Sequence, residues 1–206
     1  MNAVSLRGAI TSISDLMEKN KDYLVELDQQ NGDGDLGVSM AAGFKALEGY
    51  LESAEEKDLG KLLMKCSGLF NDAAPSSLGT ILSLGFMGMA KALKGKEEAG
   101  TAEVGLAMEA GLNNIMEKAK SKPGEKTILD ALAPAIEQIK KSGPNDSKAV
   151  IYAAAAKAAA EGSEKTKAMR SVHGRAAYYG DKSIGILDGG SVVGKLIFEG
   201  ISGYCR

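Results

Sequence analysis

Six clusters of glycine, proline and small polar residues divide this 206-residue chain into pieces of helical length: Asn31–Asp35, Ala74–Thr80, Lys94–Lys96, Lys122–Glu125, Ser142–Asp146 and Leu187–Gly190. Such residues end regular elements. Glycine and proline disturb the backbone dihedrals, and Asn, Asp and Ser compete for backbone hydrogen bonds. Between the clusters, apolar residues recur at helical spacing. Leu62, Cys66, Leu69 and Ala73 form one stripe. Ile128, Leu132, Ala135 and Ile139 form another, behind Thr127 as a plausible N-cap with Asp130 three residues on. Alternating β-branched runs are scarce. Ala153–Ala160 is alanine apart from Lys157, and alanine favours helix while letting neighbours approach closely.

The pattern predicts about eight helices, over 4–27, 36–52, 57–73, 78–94, 101–119, 127–142, 146–169 and 189–204. Short connections make consecutive helices antiparallel neighbours. The exception is 170–188, long and glycine-containing, and read as functional or mobile. With no linker and no internal repeat, the expectation is one all-α domain over 1–206. At 44% hydrophobic and 5% aromatic, its core must be mainly aliphatic.

Up-and-down packing puts alternate loops at one end. The loops after the first, third, fifth and seventh helices are 28–35, 74–80, 120–126 and 170–188. They are also the loops richest in Gly, Ser, Asp and basic residues, so a composite site is expected there.

Asp28, Asp33 and Asp35 place three carboxylates in eight residues, loosened by Gly32 and Gly34. Without a cation they repel, and a hard divalent ion, Mg²⁺ or Ca²⁺, relieves the repulsion. A calcium loop of the EF-hand type is excluded: the twelfth position is Ser39 counted from Asp28 and Phe44 counted from Asp33, where a bidentate Glu is needed. Asp35 falls near the N-cap of the helix starting at Leu36, where free N–H groups favour an anion. Carboxylates for a metal beside such a helix start suggest a metal–phosphate site. Ala74–Thr80 offers a hydroxyl-rich turn that could cradle phosphate, or one simply capped by Ser76 or Ser77. Arg175 could neutralise phosphate, or belong to a solvated basic loop. His173 is the only histidine, with no carboxylate or serine partner at useful spacing. There is no Walker A pattern and no protein-kinase signature.

A net charge of −2 argues against nucleic acid as the main partner. The most apolar stretch, Leu78–Leu93, has 16 residues with Thr80, Ser83, Lys91 and three glycines, short of the roughly 20 apolar residues a membrane span needs. The start carries no signal pattern, and Cys66 and Cys205 match no metal spacing, so a cytoplasmic protein with free thiols is expected.

Several runs together resemble the L subunit (DhaL type) of dihydroxyacetone kinase over nearly the whole chain. The family's Asp-x4-Asp-x-Asp-x-Gly motif stands as Asp28, Asp33, Asp35 and Gly37, followed by Gly43–Phe44. Lys122–Asp130 is similar to its Pro-Gly-Asp-Lys-Thr-Met segment, and Gly174–Gly185 to its Gly-Arg-Ala-Ser-Tyr-Leu-Gly-Glu-Arg-Ser-Ile-Gly segment. The resemblance implies a barrel of eight antiparallel amphipathic helices with Mg²⁺–ADP/ATP at one end. It implies two Mg²⁺ ions on Asp28, Asp33 and Asp35. It implies nucleotide contacts from Leu36, Gly37, Val38 and Ser39, from Ser77, Leu78, Gly79 and Thr80, and from Ala119, Ile128, Arg175, Asp188, Gly189 and Gly190, with Ile128 against the adenine. The partners implied are a K-type subunit holding a small ketose and an M-type phosphotransfer subunit, with room for a homodimer. Three departures stand out: Leu36 where the family commonly has histidine, Ser76–Thr80 for Gly-Gly-Ala-Ser-Gly, and Asp188-Gly189-Gly190 for Asp-Pro-Gly. They bear on which sugar is served and how tightly nucleotide is kept. The leading expectation is a phosphotransferase component. Its rivals are a nucleotide-loaded regulatory module and a His173 phosphocarrier.

Overall fold

The computed structural model describes residues 1–143 and 145–205. Pro144, inside the breaker at 142–146, and Arg206, at the end of the one-domain span, lie outside them. The helices are α1 (Ala3–Lys19), α2 (Lys21–Asp28), α3 (Leu36–Ser53), α4 (Leu59–Ala73), α5 (Ser77–Ala92), α6 (Thr101–Ala119), α7 (Leu129–Lys141), α8 (Lys148–Lys165) and α9 (Gly189–Tyr204). Two 3₁₀ segments, Thr166–Ala168 and Arg175–Ser183, lie between α8 and α9. No strand occurs among the described residues, as expected for an all-α chain.

The expected first helix, 4–27, is two helices. At Asn20 the backbone turns to φ −103°, ψ 10°, and the Asn20 side-chain amide donates to Leu16 O at 2.8 Å. A short amide that bonds the preceding turn competes with helix continuation. The break lets α2 swing so that its last residue, Asp28, faces the acidic loop.

Each helix packs on its neighbour in sequence, and α9 returns to α1, closing a ring. Neighbours run antiparallel: Ser67 Oγ on α4 donates to Ser83 O on α5 at 2.8 Å, and Asn114 Nδ2 on α6 donates to Leu84 O on α5 at 2.7 Å. The interior is aliphatic, as composition requires, with an aromatic step where Phe44 meets Phe70 edge-on at 5.0 Å. Each fully buried side chain such as Leu24, Leu47 or Leu62 contributes about 1.5–3 kcal/mol of hydrophobic stabilisation. An apolar cavity of about 190 Å³, bordered by Ile10, Phe86, Met108 and Phe198, remains inside the ring and has none of the acidic-loop residues in its wall. No described helix is long and apolar enough to cross a membrane.

The antiparallel ring brings the starts of α3, α5, α7 and α9 to one end. Four helix N-termini, each with partial positive charge, therefore surround the loops expected to form the site; the first N–H groups of α7 are taken up by Thr127 and Ile128, which leaves the starts of α3, α5 and α9 as the better donors. The 170–188 segment is tied down by Gly185 N–H to Lys167 O (2.7 Å) and Ser171 N–H to Ser183 Oγ (3.0 Å).

Candidate functional site

The acidic loop folds on its own hydrogen bonds. Gly32 N–H donates to Asp28 O at 2.6 Å, and Gly34 N–H donates to Asp28 Oδ2 at 2.7 Å. Gly34 sits at φ +78°, a left-handed conformation that suits glycine. The turn delivers one oxygen each from Asp28, Asp33 and Asp35 to within 4.8 Å of one another. Ligands on an octahedral Mg²⁺ lie about 3 Å apart when adjacent and about 4.2 Å apart when opposite, so side-chain rotations that draw the oxygens together would close the set on one ion. Three carboxylates are hard donors, and the residues fit a divalent cation. Partial desolvation, then the charges of Asp33 and Asp28, push the Asp35 carboxyl above its ordinary range, against the pull of Arg175. Because Asp35 is exposed, it is mainly the neighbouring charge that a cation would relieve.

Asp35 precedes α3 and leaves its carboxylate free, since no side chain caps this helix. Leu36, Gly37 and Ser39 are buried and Val38 is 53% exposed, so an anion at this helix start would meet backbone N–H groups. A Cβ on Gly37 would come within 2.0 Å of Lys21 O, which makes glycine a condition for docking α3 on α2. Ser76 caps α5, accepting from Gly79 N–H at 3.1 Å, and its hydroxyl donates to Ser39 Oγ at 3.3 Å. That contact puts Ser77–Thr80, the first turn of α5, beside the first turn of α3. Ser77 and Thr80 are exposed there, and Leu78 leans on the core.

Asp188 caps α9, accepting from Ser191 N–H at 2.6 Å. Burial pushes its carboxyl up to about 7. Gly189 and Gly190 open α9, with Leu36 packed against Gly189. Ile128 is 2% exposed and packs against Gly190 and Gly194, so it supports the start of α9 and shows little surface for a base. Ala119 ends α6 at the same end of the ring.

Arg175 reaches across to the acidic loop and forms an ion pair with Asp33. His173 has the carboxylate partner that spacing did not show: its Nε2 donates to Glu125 Oε2 at 2.6 Å, from 48 residues away. That hydrogen bond holds the Glu125 carboxyl below its ordinary range. Lys126, another residue without a sequence assignment, is buried, with its ammonium donating to three backbone carbonyls. Its neighbour Asp130 folds the same turn, accepting from Gly124 N–H (2.5 Å) and Thr127 N–H (2.8 Å).

The structure is thus an all-helical ring with an acidic cluster, spaced to fit a cation, among converging helix starts. The family model described as the DAK2 domain matches residues 30–203, and the chain belongs to that family. Among similar proteins, the ADP-binding subunit DhaL of PEP-dependent dihydroxyacetone kinase 1 from Listeria innocua is 30% identical, over 92% of this chain and 90% of its own. The corresponding subunit from Escherichia coli is 28% identical over 88% and 87%. The triokinase/FMN cyclase of Mus musculus is 31% identical over 88% of this chain and 31% of its own. The solved structure of C. freundii dihydroxyacetone kinase in complex with AMP-PNP and Mg²⁺ superposes with a TM-score of 0.77, over 98% of this chain and 34% of that one. At 22% identity, that likeness concerns the fold.

Proposed function

We propose that this chain is the nucleotide-binding subunit of a dihydroxyacetone-type ketose kinase, a cytoplasmic component working with a K-type subunit that holds the small ketose. The observation that carries this reading is the convergence of the Asp28, Asp33 and Asp35 oxygens beside the uncapped start of α3. The names of the Listeria and E. coli relatives, both ADP-binding subunits, support it.

Asp28, Asp33 and Asp35 would hold Mg²⁺, two ions by family resemblance. Bound Mg²⁺ supplies charge neutralisation to phosphate oxygens, the main requirement of phosphoryl transfer. The chain's own residues do the rest. Backbone N–H groups at Leu36–Val38 and at Ser77 and Leu78 would receive phosphate oxygens, while those of Ser39, Gly79 and Thr80 are already bonded to Asp35 and Ser76 and hold the two helix starts in shape. Arg175, paired with Asp33, would turn its guanidinium to pair with the nucleotide's phosphates. Asp188–Gly190 and Ala119 would line the nucleotide, with buried Ile128 supporting the start of α9 from behind.

The ketose would be presented by the partner subunit, as the family resemblance implies. An M-type subunit would rephosphorylate bound ADP where the donor is a phosphotransfer chain.

A second reading, a nucleotide-loaded regulatory module, draws on Leu36. Its buried side chain stands where the family commonly has histidine, and it offers the phosphates no polar group. Mixing the chain with a K-type subunit, dihydroxyacetone or a tetrulose, and either ATP or a phosphotransfer donor decides between them. Sugar phosphate formed only when both subunits are present establishes the kinase reading. Retained ADP with no turnover under either donor favours the module.

A further inference from the structure

Lys126 is 3% exposed and adopts a left-handed backbone at φ 60°. Its ammonium uses all three N–H donors on carbonyls: Met169 O at 3.2 Å, Ser183 O at 2.5 Å and Ile186 O at 2.6 Å. Burial pushes its pKa down, with the charge of Asp188 acting the other way. A buried ammonium is costly to desolvate, and it is retained where its hydrogen bonds hold something in place.

What it holds is the base of one loop. Met169 stands where the loop begins, and Ser183 and Ile186 where it ends, so a single cation draws the two strands of the loop together. The preceding residue supplies a second tie. Glu125 accepts from His173 Nε2 at 2.6 Å, two residues before Arg175. Gly174, at φ +64°, then turns the chain, and Arg175 opens the 3₁₀ segment with its guanidinium on Asp33. At the far side, Ile186 lies two residues before Asp188, the cap of α9. Neither Glu125 nor Lys126 contacts the acidic trio among the described contacts.

We infer that Lys126, assisted by Glu125, is a positioning residue for the nucleotide site: it pins the 169–186 loop so that Arg175 meets the metal carboxylates and Asp188 starts α9. The inference rests on the reading of the site as a Mg²⁺–nucleotide site. It adds that phosphate recognition by Arg175 depends on a segment that does not itself touch phosphate.

The test is Lys126→Met in the full chain. Circular dichroism should show the helices retained. Trypsin, without ligand, should cut at Arg170 and Lys182 faster than in the parent. Mn²⁺ binding without nucleotide should be retained, and tighten by no more than about two- to fivefold as Arg175 leaves Asp33, because the acidic loop folds on its own bonds. Affinity for Mg²⁺–ADP should fall about ten- to a hundredfold, the scale of a misplaced site group. A double-mutant cycle with Arg175→Gln separates positioning from general weakening. If Lys126 acts through Arg175, Lys126→Met should cost no more than about threefold in the Arg175→Gln background.

Unchanged trypsin cutting, Mg²⁺–ADP affinity within about twofold of the parent, or a full loss that persists without Arg175 overturns the inference. If Lys126→Met loses its helices, Glu125→Gln, which alters a half-buried side chain in the second tie, takes over the same readouts with the same directions. Trypsin cutting needs no nucleotide. A parent chain that binds no Mg²⁺–ADP, yet shows the expected change in cutting, defeats the functional reading and leaves the pinned loop standing.

Discussion

The guanidinium of Arg175 is ion-paired with the carboxylate of Asp33, so a cation from the 3₁₀ segment stands on one of the three carboxylates that fit a metal. The pair is solvent-exposed, with side chains 63% and 42% accessible, and it is therefore weak enough to exchange. Without metal, Arg175 relieves part of the repulsion in the acidic loop. If metal and nucleotide bind as proposed, the same charge becomes available to phosphate.

Arg175→Gln should therefore have opposite effects on two ligands. Mn²⁺ or Mg²⁺ alone should bind about two- to fivefold more tightly, the worth of an exposed pair. Mg²⁺–ADP should bind at least about tenfold more weakly, because a charge-assisted bond to phosphate is lost. Calorimetry on the same preparation gives both numbers. A variant that weakens both ligands equally contradicts the exchange.

Asp188 makes stability depend on pH. Burial pushes its carboxyl up to about 7, with Asp130 and Asp28 adding to the effect and the Ser191 N–H and Lys126 opposing it. The folded chain therefore holds this proton more tightly than the unfolded chain, whose aspartates titrate near about 3.9. Stability from this group is complete below that value and is lost as pH rises through about 7. Asp188→Asn keeps an acceptor for Ser191 N–H and removes the titration. Thermal unfolding in EDTA from acid to neutral pH should fall less steeply for the variant than for the parent. Equal slopes would show that Asp188 does not carry the dependence.

Ser76 joins cap and site. Ser76→Ala removes the acceptor for Gly79 N–H and should cost about 1 kcal/mol. For a chain of this size that is a fall of about 2–4 °C in Tm by calorimetric scan. Ser76→Asp keeps a capping oxygen but places negative charge beside Ser39, at the end where phosphate is expected. It should hold its Tm and lose Mg²⁺–ADP affinity. Intact affinity in Ser76→Asp would move the phosphates away from α5.

How much of this was visible in the sequence depends on the range of each interaction. Ile128, Leu132, Ala135 and Ile139 read as one stripe and are all buried, because helical spacing is a local property. The aspartates converge as expected for the same reason: Asp28, Asp33 and Asp35 share one tight turn. The share of α3, α5, α7 and α9 in a single end followed from alternating direction and short loops. The break at Asn20 was not visible, since one asparagine in a periodic stretch is ordinarily solvated. Glu125 was missed as the partner of His173, and Arg175 on Asp33, because each pair closes only when distant loops meet. Lys126 was passed over because a lysine beside Pro-Gly-Glu normally reads as exposed. Its left-handed backbone and three carbonyl acceptors exist only in the fold.

The most direct measurement is calorimetry of Mg²⁺–ADP binding to the parent and to Asp33→Ala, with helical content followed in parallel. The account expects saturable, Mg²⁺-dependent binding by the parent, and loss of that binding in the variant while the helices remain. ADP affinity that is the same in both proteins, or the same with Mg²⁺ replaced by EDTA, would contradict it.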